Sequence, residues 1–398
     1  MPPGNSPDRR RNDMKTFTAP AVLRFAALCL ATAAPALAQL QPEELTKESL
    51  AETMQPHWVW LNDISFDRML DGRAYLVDAD SGQMLGMISS GYGHGILMLA
   101  EDGKTFAVPS TFLARGTRGE RTDVVTFYKT SDLTPGAEPV IPAKRYNGMP
   151  FQSVSPVMPG GRFGLVYNFT PEQSVTVIDM QAQKMVGEYA TSGCSLIYPT
   201  GPSKFFLICG DGALQSATLD AEGKVTLGKT SKKLFADDDP VTEKGVWTGS
   251  QWLFFTYSGK VHVIDHSKDV PAIARSWSLT TPAEKDWRPG ALQAAAYHRG
   301  TGRLYVLMHQ GGPNTHKDPG TEIWVYDVAK QTRIERIALE TPALSVAVSQ
   351  DDKPLLYTTM MGETDLKVRD ALTGKLIRKI DGFGPTMTII QPAPVPGK

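Results

Sequence analysis

Cysteine is nearly missing from this chain, with three residues among 398. No C-x-x-C pair occurs, which removes the thiol-redox and zinc-ribbon motifs built on that spacing. H-E-x-x-H and G-x-S-x-G are also absent, so neither a zinc-hydrolase helix nor a serine nucleophile elbow is encoded. His57, His94, His262, His266, His298, His309 and His316 are scattered rather than set at ligand spacing. The ordinary role of histidines so placed is packing or surface polarity, not metal ligation. An excess of charge is lacking as well. The 41 basic and 42 acidic residues provide no basic stripe of the kind nucleic acid requires. Beyond the N-terminal region no run of 18 apolar residues occurs, so no membrane-spanning helix is expected.

What the chain has in quantity is a repeat. A short apolar strand opens each unit, as in Arg303-Leu-Tyr-Val-Leu-Met308, and a second follows that ends in Asp before a turn, as in Trp324-Val-Tyr-Asp327. A third resumes the alternation, as in Thr332-Arg-Ile-Glu-Arg-Ile337. The opening strands start at His57, Lys104, Arg162, Lys204, Gln251, Arg303 and Pro354, spaced by 42 to 58 residues. Turn signals such as Glu101-Asp-Gly103, Pro159-Gly-Gly161 and Gly300-Thr-Gly302 precede several of them. Several strands per copy at this period predict an all-β, seven-bladed β-propeller of four-stranded antiparallel blades around a central channel. The propeller is expected over residues 57–392, with a C-terminal tail at 393–398 and an N-terminal arm at 39–56. Helix is scarce in the pattern, apart from an amphipathic stretch near Pro42–Met54 in that arm.

Residues 1–38 have the three regions of a signal peptide. Arg9-Arg-Arg11 and Lys15 supply charge, Phe25-Ala-Ala-Leu-Cys-Leu-Ala31 the apolar run, and Ala36-Leu-Ala38 the cleavage site. Met14 would serve equally as a start, because Met14 to Ala38 is itself a normal signal length. Export removes five of the 41 basic and two of the 42 acidic residues, leaving 36 against 40, a net charge of −4. It also removes Cys29, so Cys194 and Cys209 remain. The turn Pro199-Thr-Gly-Pro202 between them can fold one strand back on the other and bring the sulfurs within bridging range. Two free buried thiols are the alternative, and an oxidising compartment favours the disulfide.

Three local patterns imitate nucleotide or metal sites and lack the necessary context. Gly223-Lys-Val-Thr-Leu-Gly-Lys-Thr230 matches a P-loop letter for letter, yet it alternates like a strand and no apolar helix follows. Gly91-Tyr-Gly-His-Gly95 lacks the dinucleotide fingerprint and reads as a loop. Asp237-Asp-Asp-Pro240 is a solvated acidic turn without the rest of a calcium loop. The loop Gln310-Gly-Gly-Pro-Asn-Thr315, flanked by His309 and His316, could reach a partner or a pocket. No self-contained catalytic set emerges, and no metal-binding or cofactor-binding residues are expected on this chain.

Longer segments carry a resemblance. Arg118-Gly-Glu-Arg-Thr-Asp123, Tyr257-Ser-Gly-Lys-Val-His-Val-Ile-Asp265, Trp287-Arg-Pro-Gly290 with Tyr297-His-Arg299, and Ser349-Gln-Asp-Asp-Lys-Pro-Leu-Leu-Tyr357 resemble the heavy subunit of the quinoprotein amine dehydrogenases. So does the Cys194/Cys209 pair with Tyr198-Pro199 between. The resemblance runs from about residue 57 to the C-terminus. It implies a periplasmic heterotetramer of two heavy and two light chains that oxidises a primary amine to an aldehyde and ammonia. It further implies electron transfer to a blue copper protein of the amicyanin or azurin type. The tryptophan tryptophylquinone cofactor of that family is built on a small cysteine-rich light chain, so this chain would carry neither quinone nor catalytic base. Its implied role is to seat the light chain and close part of the substrate channel. Tyr92 looks like the aromatic residue that lines the channel entrance in that family, which usually has Phe there.

The resemblance spans two subgroups. Gly93-His94, Cys209-Gly-Asp-Gly212 and Thr315-His-Lys317 with Glu322-Ile-Trp-Val325 are similar to the aromatic-amine type. Trp287-Arg-Pro-Gly290 and Asp352-Lys-Pro-Leu-Leu-Tyr357 are closer to the methylamine type, and the balance leans slightly to aromatic amines. Two other readings remain open at this level: an exported lactonase-type propeller, with carboxylates converging on a metal at the axis, and a non-catalytic binding propeller.

Overall fold

Short strands that alternate apolar and polar residues can bury themselves only by stacking sheet upon sheet, and this chain does so seven times. The computed structural model describes residues 48–66 and 69–394; the expected signal segment 1–38 lies outside them. From axis to rim, blade 1 is Met387–Pro392, Trp58–Asp63, Gly72–Asp78 and Gln83–Gly91. Blade 2 is Met98–Leu99, Thr105–Leu113, Arg121–Lys129 and Val140–Ile141. Blade 3 has Phe163–Asn168, Ser174–Asp179 and Lys184–Ala190, its innermost position held by an isolated bridge between Val157 and Gly164. Blade 4 is Cys194–Gly201, Lys204–Cys209, Leu214–Leu219 and Val225–Thr230. Blade 5 is Val246–Trp247, Trp252–Phe255, Lys260–Asp265 and Ala272–Ser278. In blade 6 both Trp287–Pro289 and Ala295–His298 pair with Arg303–Gln310, followed by Gly320–Asp327 and Thr332–Ala343. Blade 7 is Ser345–Val348, Leu355–Thr359, Leu366–Asp370 and Leu376–Ile380.

The second and third strands of each blade carry the burial. Trp58–Asp63 and Phe163–Asn168 are buried along their whole length, whereas the outer strand Val225–Thr230 is exposed after its first residue. Packing runs between blades: Trp60 of blade 1 meets Phe106 of blade 2 at 4.9 Å between ring centres. Each large side chain so buried contributes roughly 1.5–3 kcal/mol. The strands that open each repeat in the sequence are therefore the second strands of the blades. The innermost strands escape sequence reading because they are brief, as short as the two residues of Met98–Leu99 and Val246–Trp247.

The ring is closed by the C-terminal strand. Met387–Pro392 pairs antiparallel with Trp58–Asp63, so the first blade is built from both ends of the propeller. Two side-chain amides reinforce that closure by imitating backbone. Gln391 accepts from Leu97 N at 3.1 Å and donates to Leu97 O at 2.9 Å, which binds blade 1 to blade 2. Gln293 does the same to Ile390, at 2.8 and 2.9 Å, from blade 6.

The helix expected near Pro42–Met54 is not present over its described part. Residues 42–47 lie outside the described residues, and 48–54 is irregular. Leu50 N donates to Ser131 O and Met54 N to Gly103 O, so backbone donors that a helix would use are bound to blade 2 instead. Among the described residues the helical elements are two single 3₁₀ turns, Gln152–Val154 and Pro282–Glu284. No described helix is long and apolar enough to cross a membrane.

Candidate functional site

An up-and-down blade puts two kinds of connection at one end: the loop between its second and third strands, and the link from its outer strand to the next blade. This end is called the loop face. Tyr92, the Cys194–Cys209 bridge, the Asp237–Pro240 turn and the loop between His309 and His316 all fall on it. The opposite end holds the tight hairpins.

Tyr92 lies in the link from blade 1 to blade 2, half-buried, with Gly91 and Gly93 in the left-handed region at φ +70° and +77°. Those glycines let the chain turn tightly where a side chain would strain it. Both are also packed against other groups. A Cβ on Gly93 would collide with the Asn147 side-chain amide, and one on Gly91 would lie 2.8 Å from Thr111 O. The loop rests on a buried polar foundation. Asp123, with no exposed surface, accepts two hydrogen bonds from Arg121 at 2.8 and 2.7 Å and one from Thr111 Oγ1 at 2.8 Å. Arg145, 4% exposed, donates from Nε to Thr111 Oγ1 at 3.1 Å and from its two terminal nitrogens to His94 O and Tyr92 O. Burial lowers the Arg145 guanidinium to about 10, which leaves it charged at neutral pH. His94 is buried beside it; burial and then the Arg145 charge hold the imidazole down to about 4, so it is neutral.

Around this loop several large apolar side chains are exposed. Phe66 is 62% exposed and Phe169 50%, with Leu70 and Phe112 also exposed. They belong to one region. Met69 O accepts from Gly93 N at 3.0 Å, which ties the chain at Met69 and Leu70 to the Tyr92 loop. Tyr146, two residues before Gly148 and next to Asn147, meets Phe169 edge-on at 5.8 Å. A cluster of exposed aromatic and aliphatic side chains on a single face is the mark of a binding surface.

The other expected features resolve as structure. Cys194 and Cys209 are bridged, directly opposite each other where the first and second strands of blade 4 pair. The P-loop look-alike contains the outer strand of blade 4. In the acidic turn Asp237 pairs with Lys233 at 2.5 Å, and Asp239 accepts from Ser258 N and Oγ. His309 bonds Thr315 Oγ1 at 2.9 Å, and His316 stacks on Tyr257 at 3.8 Å. The central channel is a cavity of about 1030 Å³ whose wall includes Leu97, Ile197, Val246, Val348 and Ile389. Its two carboxylates, Glu101 and Glu243, sit at opposite ends of the innermost strands and do not converge as a lactonase metal cage would. Among the described residues no three His, Cys, Asp or Glu side chains are grouped to hold a metal ion. Sequence reading missed Arg145, Asn147 and the exposed Phe66, Leu70, Phe112 and Phe169, none of which belongs to a motif. Asp123 and Arg121 were legible only as part of a longer resembling segment.

The comparisons with known proteins agree over nearly the whole described chain. The family model described as methylamine dehydrogenase heavy chain matches residues 57–393. A methylamine dehydrogenase heavy chain of Methylophilus methylotrophus is 30% identical over 95% of this chain and 99% of that relative. One from Paracoccus versutus is 31% identical over 78% of this chain and 73% of its own length. Solved structures match in fold alone. A protein of unknown function from Desulfotomaculum acetoxidans has a TM-score of 0.59 at 11% identity, covering 85% of this chain and 99% of that one. A dihydro-heme d1 dehydrogenase has a TM-score of 0.53 at 18% identity, covering 85% and 66%. By the family match and the curated relatives, this chain belongs to the methylamine dehydrogenase heavy chain family.

Proposed function

We propose that this chain is the heavy subunit of a periplasmic amine dehydrogenase that oxidatively deaminates a primary amine to an aldehyde and ammonia. The observation that carries the reading is the exposed apolar rim formed by Phe66, Leu70, Phe112 and Phe169 around the Tyr92 loop, on a chain of this family. That rim is the seat of a cysteine-rich light chain, in an assembly of two heavy and two light chains. Tryptophan tryptophylquinone on the light chain supplies the electron sink for the amine, and a blue copper protein of the amicyanin or azurin type takes the electrons onward. The work of this chain is binding and exclusion. Its apolar rim removes water from the joint, which strengthens every polar contact inside it. Tyr92 walls the entrance through which the amine reaches the light chain.

The amine is small enough to pass that wall. The relatives are named for methylamine, whereas Gly93-His94 and the Thr315–Val325 region lean slightly toward an aromatic amine. Isolation of the native protein from periplasm tests the reading. A stoichiometric small, cysteine-rich chain with visible quinone absorption, bleached by a primary amine, is the expected result. The relative rates of bleaching by methylamine and phenylethylamine assign the substrate. A lone, colourless propeller that amines leave unchanged would refute the proposal.

A further inference from the structure

The Tyr92 loop is held at nearly every backbone group it offers. Tyr92 N donates to Thr111 O at 2.7 Å, Gly93 N to Met69 O at 3.0 Å, and His94 N to Asn147 Oδ1 at 2.7 Å. In the other direction Asn147 Nδ2 donates to Tyr92 O at 2.8 Å, and Arg145 donates to Tyr92 O at 3.3 Å and His94 O at 2.5 Å. Asn147 thus bridges residues 92 and 94 with both ends of one amide, which a carboxylate or an aliphatic side chain cannot do. The anchors come from three separate pieces of chain: the second strand of blade 2, the loop after Asp63 and the link from blade 2 to blade 3. Arg145 is itself fixed through Thr111 to the buried Asp123. A loop so tied has no low-energy hinge, because releasing it strands buried donors and acceptors.

We infer that Asn147 and Arg145 are positioning residues that lock residues 92–94 in a single conformation, making the rim aromatic a fixed wall whose position sets discrimination between small and bulky amines. The inference rests on the reading of Tyr92 as part of the amine entrance; the lock itself does not. Neither Asn147 nor Arg145 is placed at the reacting atoms. Their effect passes through the loop, and a moving lid is the arrangement they exclude.

Amide hydrogen exchange over residues 90–97 separates the two parts. Asn147→Ala removes both hydrogen bonds, and the His94 amide is expected to lose protection about tenfold, as for one net hydrogen bond. Asn147→Asp keeps the acceptor for His94 N and loses the donor to Tyr92 O, so the His94 amide is expected to stay protected. Gly93→Ala provides an independent route to the same release, since its Cβ would collide with the intact Asn147 amide. Melting curves of each variant confirm that the propeller is folded. In the complex with the light chain, Asn147→Ala is expected to shift the phenylethylamine-to-methylamine ratio of kcat/KM about tenfold, the same one-bond equivalent. The shift is expected in KM, with kcat for methylamine unchanged. Unaltered His94 protection in folded Asn147→Ala would overturn the lock. Lost protection with an unmoved ratio, where Tyr92→Ala does move it, would overturn the positioning role. A ratio indifferent to Tyr92→Ala as well would overturn discrimination by the wall together with the channel reading, while the exchange result on the lock would stand.

Discussion

His57 stands at the start of the propeller between two carboxylates, with Nδ1 2.8 Å from Asp80 and Nε2 3.1 Å from Asp351 of blade 7. Burial works to lower its pKa, but the Asp80 hydrogen bond and the charges of Asp351 and Asp80 outweigh it, and the net shift is upward from 6.5. The protonated ring therefore helps to join blades 1 and 7. Its contribution to stability is fully present below pH 6.5 and is lost as pH rises through the folded value. His94 has the opposite sign. Held at about 4 in the fold by burial and Arg145, it must be neutral there, so stability is lost as pH falls from 6.5 toward 4, by roughly 3 kcal/mol in total. Denaturant unfolding measured against pH should show both limbs. His94→Gln should shrink the acid limb below pH 6.5, to which His262, His309 and His316, also lowered by burial, contribute as well, and His57→Gln should flatten the alkaline one; limbs unchanged by these substitutions would contradict the assignments. Glu284, held at about 2 through its hydrogen bond with Arg333, acts in the acid direction too, its stabilisation being lost as pH falls below the ordinary carboxylate value of 4.5 toward 2.

Two elements set how firmly the ring holds. The Cys194–Cys209 bridge closes a loop with a sequence separation of 15, which in the chain-entropy picture contributes about 3 kcal/mol. The double substitution Cys194→Ser, Cys209→Ser should lower the unfolding free energy by that order; an unchanged denaturation midpoint would show that the hairpin holds without it. The second element is the closing strand. Removal of residues 387–394 strips Trp58–Asp63 of its inner partner, and the exposed edge is then open to aggregation. Cooperative melting should be lost, and a shortened chain that melts like the full one would refute closure as a source of stability. These elements also show what the sequence can disclose. Second strands such as Phe163–Asn168 are largely apolar runs that follow a turn such as Pro159-Gly-Gly161, so the sevenfold period was readable. Innermost strands such as Met98–Leu99 and Val246–Trp247 were not, because two residues carry no period, and the arm at 48–54 looked helical only while its blade 2 partners were unknown. The site followed the same division. Tyr92 was visible within a distinctive glycine loop, but Asn147 and Arg145 meet it from more than fifty residues away, and no local pattern encodes such a contact. Two residues of the resembling segments are fixtures of the scaffold: Asp123 supports the loop, and Asp351 clasps His57.

At the scale of the molecule, the two ends of the propeller differ. The hairpin face carries turns such as Asp78–Gln83 and Ser349–Leu355, and the clasp at His57 lies there. The loop face carries the apolar rim, the Tyr92 loop and the disulfide. Charge placed in the centre of that rim should block assembly without unfolding the chain, since Phe112 and Phe169 are exposed. The double substitution Phe112→Asp, Phe169→Asp is expected to weaken light-chain binding by at least about thirtyfold, the effect of losing a hot spot of 2 kcal/mol, with the melting temperature unchanged. Binding measured by titration checks this, and undiminished affinity would place the partner elsewhere. The most direct test of the account is hydrogen exchange of this chain with and without its light chain. The account predicts new protection at residues 64–66, 69–71, 90–97, 112–120 and 169–173, all on the loop face around blades 1 to 3. Protection confined to the hairpins of the opposite face, at residues 101–104, 249–251 and 349–354, would contradict it.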